Sequence, residues 1–179
     1  MIIWVNGAFG SGKTTLVAEL HRRLPDALVY DPELTGFLLR SIPGVPAGDF
    51  QDLALWRRQV ADLALGLAGE YGKPVLVPMT LVEPRYADEI FGAFDAAGAA
   101  VRHFFLDVPA AELERRLRVR VVNPDDPERD EAVRKWCEAQ IPRCAAAVIT
   151  LRAGTVLLDG CRPTYELADE VLARSLPGN

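Results

Sequence analysis

The amino-acid sequence predicts an α/β fold: a three-layer sandwich in which a five-stranded parallel sheet carries helices on both faces, with residues 1–179 forming one domain. Three observations carry this prediction. Short continuous apolar runs alternate with helix-period stretches, the pattern of strands buried on both faces. Right-handed crossovers between such strands impose a doubly wound layout. The turn-rich segments "GAFGSGKT", "DPE", "MTLVEP", "DVP" and "DGCRP" each follow a strand, so they gather at the carboxyl ends of the strands, where folds of this kind bind ligands.

Each element follows from a local signal. "IIWV" (2–5) is an uninterrupted apolar run and reads as the first buried strand. From Gly12 to Leu24, Leu16, Leu20 and Leu24 line one helix face, and Pro25 ends the helix. "ALVY" (27–30) reads as a second buried strand. Asp31 then Pro32 pairs an N-cap acid with proline at the first helical position, opening a helix to about Arg40. "SIPGVPAGD" (41–49) is a loop by composition. Asp49 to Glu70 reads as one long amphipathic helix, with Leu53, Trp56, Val60, Leu63 and Leu67 as its apolar stripe. "KPVLVPMT" (73–80) is the third strand, residues 84–97 a helix closed by Gly98, and "AAVRHFFLD" (99–107) the fourth strand. Pro109 to about Val121 is an arginine-dense helix, "NPDDPERDE" (123–131) a mobile acidic loop, and 131–148 a further helix. "TVLLD" (155–159) is the fifth strand, and Arg162 to about Arg174 the last helix. The segments 32–70 and 116–143 are the expected acceptor side and lid of the domain.

Composition narrows the function. The net charge is −5, from 20 Lys and Arg against 25 Asp and Glu, which argues against a nucleic-acid-binding surface. Cys137, Cys144 and Cys161 are odd in number and form no C-x-x-C, which fits a reducing, cytoplasmic setting. His21 and His103 are too far apart in sequence to suggest a zinc site. The longest apolar run, "CAAAVITL" (144–151), falls well short of the roughly 20 residues of a spanning helix. No secretory signal opens the chain, and peripheral membrane contact stays open.

Gly7, Gly12, Lys13 and Thr14 complete the pattern G-x-x-x-x-G-K-[ST], with a strand before and a helix after: a P-loop. At average residue usage a chance match is on the order of one per cent. Glycines let the backbone curl until successive N–H groups point into one concavity, and the following helix adds the positive end of its dipole. Lys13 supplies a point charge for the β- and γ-phosphates, and the Thr14 hydroxyl can ligate Mg²⁺. Gly7, Ala8, Phe9, Gly10, Ser11, Gly12, Lys13, Thr14 and Thr15 are therefore the candidate nucleotide-binding set. No N-K-x-D guanine signature occurs, and the third strand carries no acid.

The surroundings favour a small kinase. Asp31 and Glu33 stand at the mouth of the second strand, where a carboxylate can deprotonate an attacking hydroxyl or hold Mg²⁺ through water; helix capping is the other reading, and the two coexist. Arg116 and Arg120 lie four apart and are expected on one helix face, with Arg134 and Arg143 beyond, as a lid closing over transferring phosphate needs. Arg162 borders the expected adenine position. Phe37, Leu38, Leu39 and Trp56 form either an apolar acceptor groove, with Arg57 or Arg58 near a polar head, or plain core.

"WVNGAFGSGKT" with "YDPE" and "VPMT", and beside them "ELHRRL", "GFLLRS", "DFQDLALWR" and "IPRC", resemble the tunicamycin-resistance ATP-binding proteins. These belong to the wider P-loop kinase-like group that includes shikimate, gluconate, adenylate and chloramphenicol kinases. The resemblance runs from Met1 to about Arg143. It implies a nucleoside-kinase-like P-loop NTPase fold, ATP and Mg²⁺ as cofactors, and a small-molecule acceptor such as the lipid-tailed nucleoside antibiotic tunicamycin. Lys13, Asp31, Arg116 and Arg120 are then the expected catalytic residues, with Thr14 and Asp31 at the metal. Two other functions remain open: ATP-gated sequestration of the drug without chemistry, and a nucleotide or metabolite kinase with Arg40, Arg57 and Arg58 as acceptor-phosphate candidates.

Overall fold

The structure, a computed structural model, describes residues 1–176. Five parallel strands, β1 (Ile2–Gly7), β2 (Leu28–Val29), β3 (Val75–Pro78), β4 (Val101–Asp107) and β5 (Val156–Asp159), form one sheet in the order β2-β3-β1-β4-β5. Helices α1 (Lys13–Arg23), α2 (Pro32–Arg40), α3 (Ala54–Tyr71), α4 (Pro84–Ala96), α5 (Ala110–Val119), α6 (Pro127–Ala139), α7 (Ile141–Ala146) and α8 (Thr164–Ser175) connect and cover them. β1 is central, and its side chains alternate between the layers. Ile2 and Trp4 pack with Trp56, Val60, Ile90, Phe91 and Phe94 under α3 and α4, whereas Ile3 and Val5 pack with Leu16, Leu20, Leu167 and Val171 under α1 and α8. Each such side chain, fully removed from water, contributes roughly 1.5–3 kcal/mol before entropy is counted. A third, smaller core joins Ala8 to Val108, Leu113, Leu117, Cys137, Ile141 and Cys144, so α5, α6 and α7 are rooted on the glycine loop itself.

Five sequence expectations about these elements are corrected. β2 is not a buried strand: it is a two-residue edge strand paired with β3, and Val29 is 48% exposed. The helix expected from Asp49 begins at Ala54, because Asp49 caps a separate 3₁₀ turn (Phe50–Asp52) and Leu53 is extended. Its buried stripe is Trp56, Val60, Ala61 and Ala64, with Leu63 turned outward; alanines at that face let the helix lie close to its neighbours. The acidic segment becomes helical at Pro127, capped by the Asp126 carboxylate, and the helix expected over 131–148 breaks at Gln140. Pro142, which has no N–H to continue the ladder, sits in the first turn of the new helix α7.

On the acceptor side, Trp56 is fully buried and its indole N–H donates to the Pro32 carbonyl at 3.0 Å. Leu39 is buried as well, so both belong to the core and not to a groove, whereas Phe37 and Leu38 face solvent. Arg57 is also inside: it donates to Glu89 at 2.6 Å and to the Gln51 carbonyl at 2.6 Å, and stacks 4.3 Å over the Tyr86 ring. With its donors committed to scaffold, it is not available as a head-group or phosphate ligand. Among the described residues no helix is long and apolar enough to cross a membrane.

Gly36 marks the tightest joint of this region. A Cβ there would lie 2.4 Å from Cδ1 of Phe50, whose ring packs 5.2 Å from Trp56. Gly36→Ala is expected to lower the unfolding free energy by about 1–3 kcal/mol, through overpacking, as measured by urea denaturation.

Candidate nucleotide-binding site

The site grows from the carboxyl end of β1. Gly7, Gly10 and Gly12 all take positive φ (144°, 80° and 99°), which lets the chain coil between β1 and α1. Close approach adds to the demand at Gly7 and Gly10: a Cβ would lie 2.7 Å from Ser11 Oγ at the first and 3.1 Å from Leu117 Cδ2 at the second. No side chain caps α1 at Gly12, so its leading amides are left for another partner. Lys13 folds back across the loop, its Nζ donating to the carbonyls of Gly7 at 3.1 Å and Ala8 at 2.8 Å, and lying 5.5 Å from the Phe9 ring. Burial holds the ammonium's pKa down at about 8, against the pull of Cys144 and Glu33 and with help from Arg120. The Ser11 hydroxyl is buried and has no hydrogen-bond partner among the described residues. A desolvated cation, an orphan hydroxyl and uncapped amides in one concavity are a donor set that fits a phosphate chain. Thr14 and Thr15 are exposed on the first turn of α1, where the Thr14 hydroxyl can meet a phosphate-bound cation.

A polar network that the sequence reading did not find holds this loop. Asn6 is buried in β1. Its Oδ1 accepts from Gly7 N at 2.7 Å and Leu81 N at 2.9 Å, and its Nδ2 donates to the Leu81 carbonyl at 2.7 Å and reaches His103 Nε2 at 3.3 Å. On the other side of the imidazole, Nδ1 lies 2.8 Å from Thr155 Oγ1, whose own proton goes to the Arg152 carbonyl at 2.8 Å. These partners fix the tautomer: Nδ1–H donates to Thr155 and the bare Nε2 accepts from Asn6. Thr80 donates to the Gly7 carbonyl at 2.8 Å, and Gln51 to the Thr80 carbonyl at 3.1 Å. The available signal was a lone asparagine closing an apolar run, which a buried strand tolerates only when its amide is satisfied.

The acids and arginines divide their work. Asp31 Oδ1 accepts from Glu33 N at 2.9 Å as the cap of α2. The half-buried Glu33 shares the electrostatic field of Lys13, Arg120 and Arg40, and burial, then the neighbouring Asp31, raises its carboxyl above the usual range. Arg116 and Arg120 do not share a helix face, because α5 ends at Val119 and Arg120 is extended. Arg116 braces the loop, donating to Glu112 at 2.7 Å, to the Ser11 carbonyl at 3.2 Å and to the Gly160 carbonyl at 3.0 Å. Arg120 is exposed and its charge acts on both Lys13 and Glu33. Arg134 pairs with Glu131 and Asp130 within its own helix, and Arg143 lies 3.8 Å from Glu83. Arg162 lies along α8, bound to Glu166 at 3.3 Å and Glu170 at 2.6 Å. Burial raises the Cys144 thiol, and its sulfur takes a hydrogen bond from the Phe9 amide of the loop.

A lysine-bearing glycine loop after β1 of a parallel 2-3-1-4-5 sheet defines a P-loop domain of the kinase-like, ATP-binding class. Residues 2–144 match the family model described as an AAA domain, and the chain belongs to that family. Among solved structures, the tunicamycin resistance protein of Deinococcus radiodurans is 27% identical, with a TM-score of 0.71 over 97% of this chain and 94% of that one. The APS kinase of Mycobacterium tuberculosis, solved with AMPPNP and APS, is 22% identical, with a TM-score of 0.64 over 96% and 95% of the two chains. A gluconokinase from Sinorhizobium meliloti 1021 is 21% identical, with a TM-score of 0.59 over 96% and 89%. These last two share the fold. No curated protein sequence matches the chain.

His103 gives the network an acid limit. Burial, with Arg152 beside it, lowers the imidazole pKa to about 3, so the folded protein keeps it neutral while the unfolded chain takes up a proton below about 6.5. The network's stability is complete above pH 6.5 and declines as pH falls toward 3. Between pH 7 and pH 5 this one group is expected to lower stability by about 2 kcal/mol. Urea denaturation at the two pH values, compared with His103→Gln, measures it: the variant lacks that increment of pH dependence.

Proposed function

We propose that the protein is an ATP- and Mg²⁺-dependent phosphotransferase acting on a hydroxyl of a small molecule, with tunicamycin as the first candidate acceptor. The observation that carries this reading is the donor set at the end of β1, where Lys13 lies on the Gly7 and Ala8 carbonyls, the Ser11 hydroxyl is unpartnered among the described residues and α1 is uncapped, with the half-buried Glu33 inside the electrostatic reach of Lys13 and Arg120. A carboxylate within the field of the phosphate lysine is suited to take a proton from an acceptor hydroxyl, a role that sequestration alone does not call for. The likeness to the D. radiodurans tunicamycin resistance protein supports the choice of acceptor.

Each residue has a role in this reading. The loop amides of Gly7 to Thr15 and the Ser11 hydroxyl bind the phosphates, and Lys13 neutralises them. Thr14, with Asp31 through water, holds Mg²⁺, which offsets phosphate charge when bound. Glu33 takes the acceptor's proton, and its raised pKa brings it nearer the working range of a general base. Asp31 keeps one carboxylate oxygen on the α2 cap and orients the hydroxyl or the metal's water with the other. Arg120 meets charge that develops on the transferred group, while Arg116 positions the loop through the Ser11 and Gly160 carbonyls. Arg162, held by Glu166 and Glu170, is assigned to the base end of the nucleotide in this reading.

Two outcomes test the proposal. Incubated with ATP, Mg²⁺ and tunicamycin, the protein is expected to yield drug heavier by one phosphoryl group in a mass spectrum. Asp31→Asn, which keeps the cap, and Glu33→Gln are each expected to slow that product by about 10²–10⁴-fold with the fold intact by circular dichroism. Drug recovered unmodified, yet retained only with ATP present, would establish sequestration instead. Separately, Lys13 should regain its proton when polyphosphate supplies the missing counter-charge. Calorimetry in buffers of different ionisation enthalpy is expected to show uptake of about three quarters of a proton per ATP at pH 8.5 and about a tenth at pH 7.

A further inference from the structure

At the opposite end of the sheet from the glycine loop lies a cavity of about 350 Å³, within the size range of small-ligand sites. It opens between the first residues of β4, the Arg152–Gly154 turn that precedes β5, and the end of α8. Three guanidinium groups line it, those of Arg102, Arg152 and Arg174, against one carboxylate, Asp95. Asp95 is taken by Arg152 at 2.9 Å, and Arg152 is fixed in place by the Phe91 ring, 4.7 Å beneath it. Arg174 pairs outward with Glu170 at 3.0 Å. Arg102 has no carboxylate partner among the described residues and reaches only the Val101 carbonyl, at 3.4 Å. The partly exposed Val101 and Val156 supply an apolar wall.

The wall also includes His103, the middle of the polar network behind the glycine loop. From the rim of the cavity the path is continuous: the Arg152 carbonyl to Thr155, Thr155 to His103, His103 to Asn6, and Asn6 to the amide of Gly7. Each hydrogen bond on this path points toward Arg152 and the last ends on its backbone carbonyl, so a ligand that draws the Arg152–Gly154 turn toward itself shifts the acceptor of Thr155 and, through His103 and Asn6, the entry to the nucleotide loop.

We propose that this cavity is an effector site for a compact organic acid carrying at least two anionic groups, carboxylate or phosphate, and that its occupancy changes nucleotide affinity through the Thr155–His103–Asn6 chain. Arg102 and Arg174 bind the anionic groups, Arg152 shifts between Asp95 and the ligand, and the apolar wall receives the carbon skeleton. The site shares no residue with the phosphate loop.

Calorimetric titration with 3-phosphoglycerate and with malate tests it, using Lys13→Ala protein, whose own phosphate site is crippled. One equivalent of either acid is expected to bind. Arg102→Ala and Arg174→Ala should each weaken binding about tenfold, as the loss of a charge-assisted hydrogen bond does. In the unsubstituted protein with excess Mg²⁺, the bound acid is expected to change ATP affinity about fivefold or more. In Thr155→Val protein the acid still binds and that change disappears. The proposal is overturned if neither acid binds at tens of millimolar. Binding that the arginine variants leave unaltered, or binding with no effect on ATP affinity, overturns it as well. Because the first titration is read without nucleotide or acceptor, it succeeds or fails independently of phosphotransfer.

Discussion

An unpaired ammonium in a desolvated concavity is the constraint around which this protein is built. Lys13 is held against two backbone carbonyls of its own loop with its pKa near 8, a position that costs free energy until an anion arrives. Keeping that cation in place demands a loop that cannot relax around it. Three glycines in positive φ set its path, the amide of Asn6 closes its entry, Thr80 holds the first carbonyl and Arg116 holds the Ser11 carbonyl from α5. Each support comes from a different element, so the sheet order and the helix packing are what hold the cation poised.

That division separates the arginines that build the site from the one that faces it. Arg116 looks like a phosphate ligand in sequence, yet its guanidinium is committed to Glu112 and to two carbonyls. Arg57 and Arg134 likewise serve the scaffold, the first through Glu89 and the second through Glu131. Arg120 lies past the end of its helix, in the field of Lys13 and Glu33, with the exposed Val119 and Val121 on either side. Its backbone is extended there, so its side chain is not bound to a helical ridge. Asp130 steadies the segment by accepting the amides of Val122 and Asn123 at 2.6 and 2.9 Å.

Much of this was legible in the amino-acid sequence, for identifiable reasons. The buried strands announced themselves because apolar runs such as "IIWV" have few other uses, and the glycine loop because its residue types are costly anywhere else. What escaped notice depended on long-range partners. Val29 reads as buried until the sheet order makes its strand an edge. The helix expected from Asp49 reads as continuous, since nothing local reveals that Leu53 turns to seat Phe50 beside Gly36. Gln140 and Pro142 were a local signal that the helical period concealed. His103 reads as an isolated imidazole, because Asn6 and Thr155, the residues that satisfy it, lie 97 and 52 positions away.

The third core bears on how the nucleotide loop can vary. In the motif's own grammar the second and third positions, Ala8 and Phe9, are free. Here Ala8 is packed among Leu113, Leu117 and Cys144, and Phe9 stands edge-on to Trp136 at 4.9 Å while its amide is held by the Cys144 sulfur. Gly10 is pressed against Leu117 as well. The letters that a pattern search leaves blank are thus spelled by the three helices above them. A loop transplanted from a distant relative would have to bring α5, α6 and α7 with it, because its blank positions are packed against them.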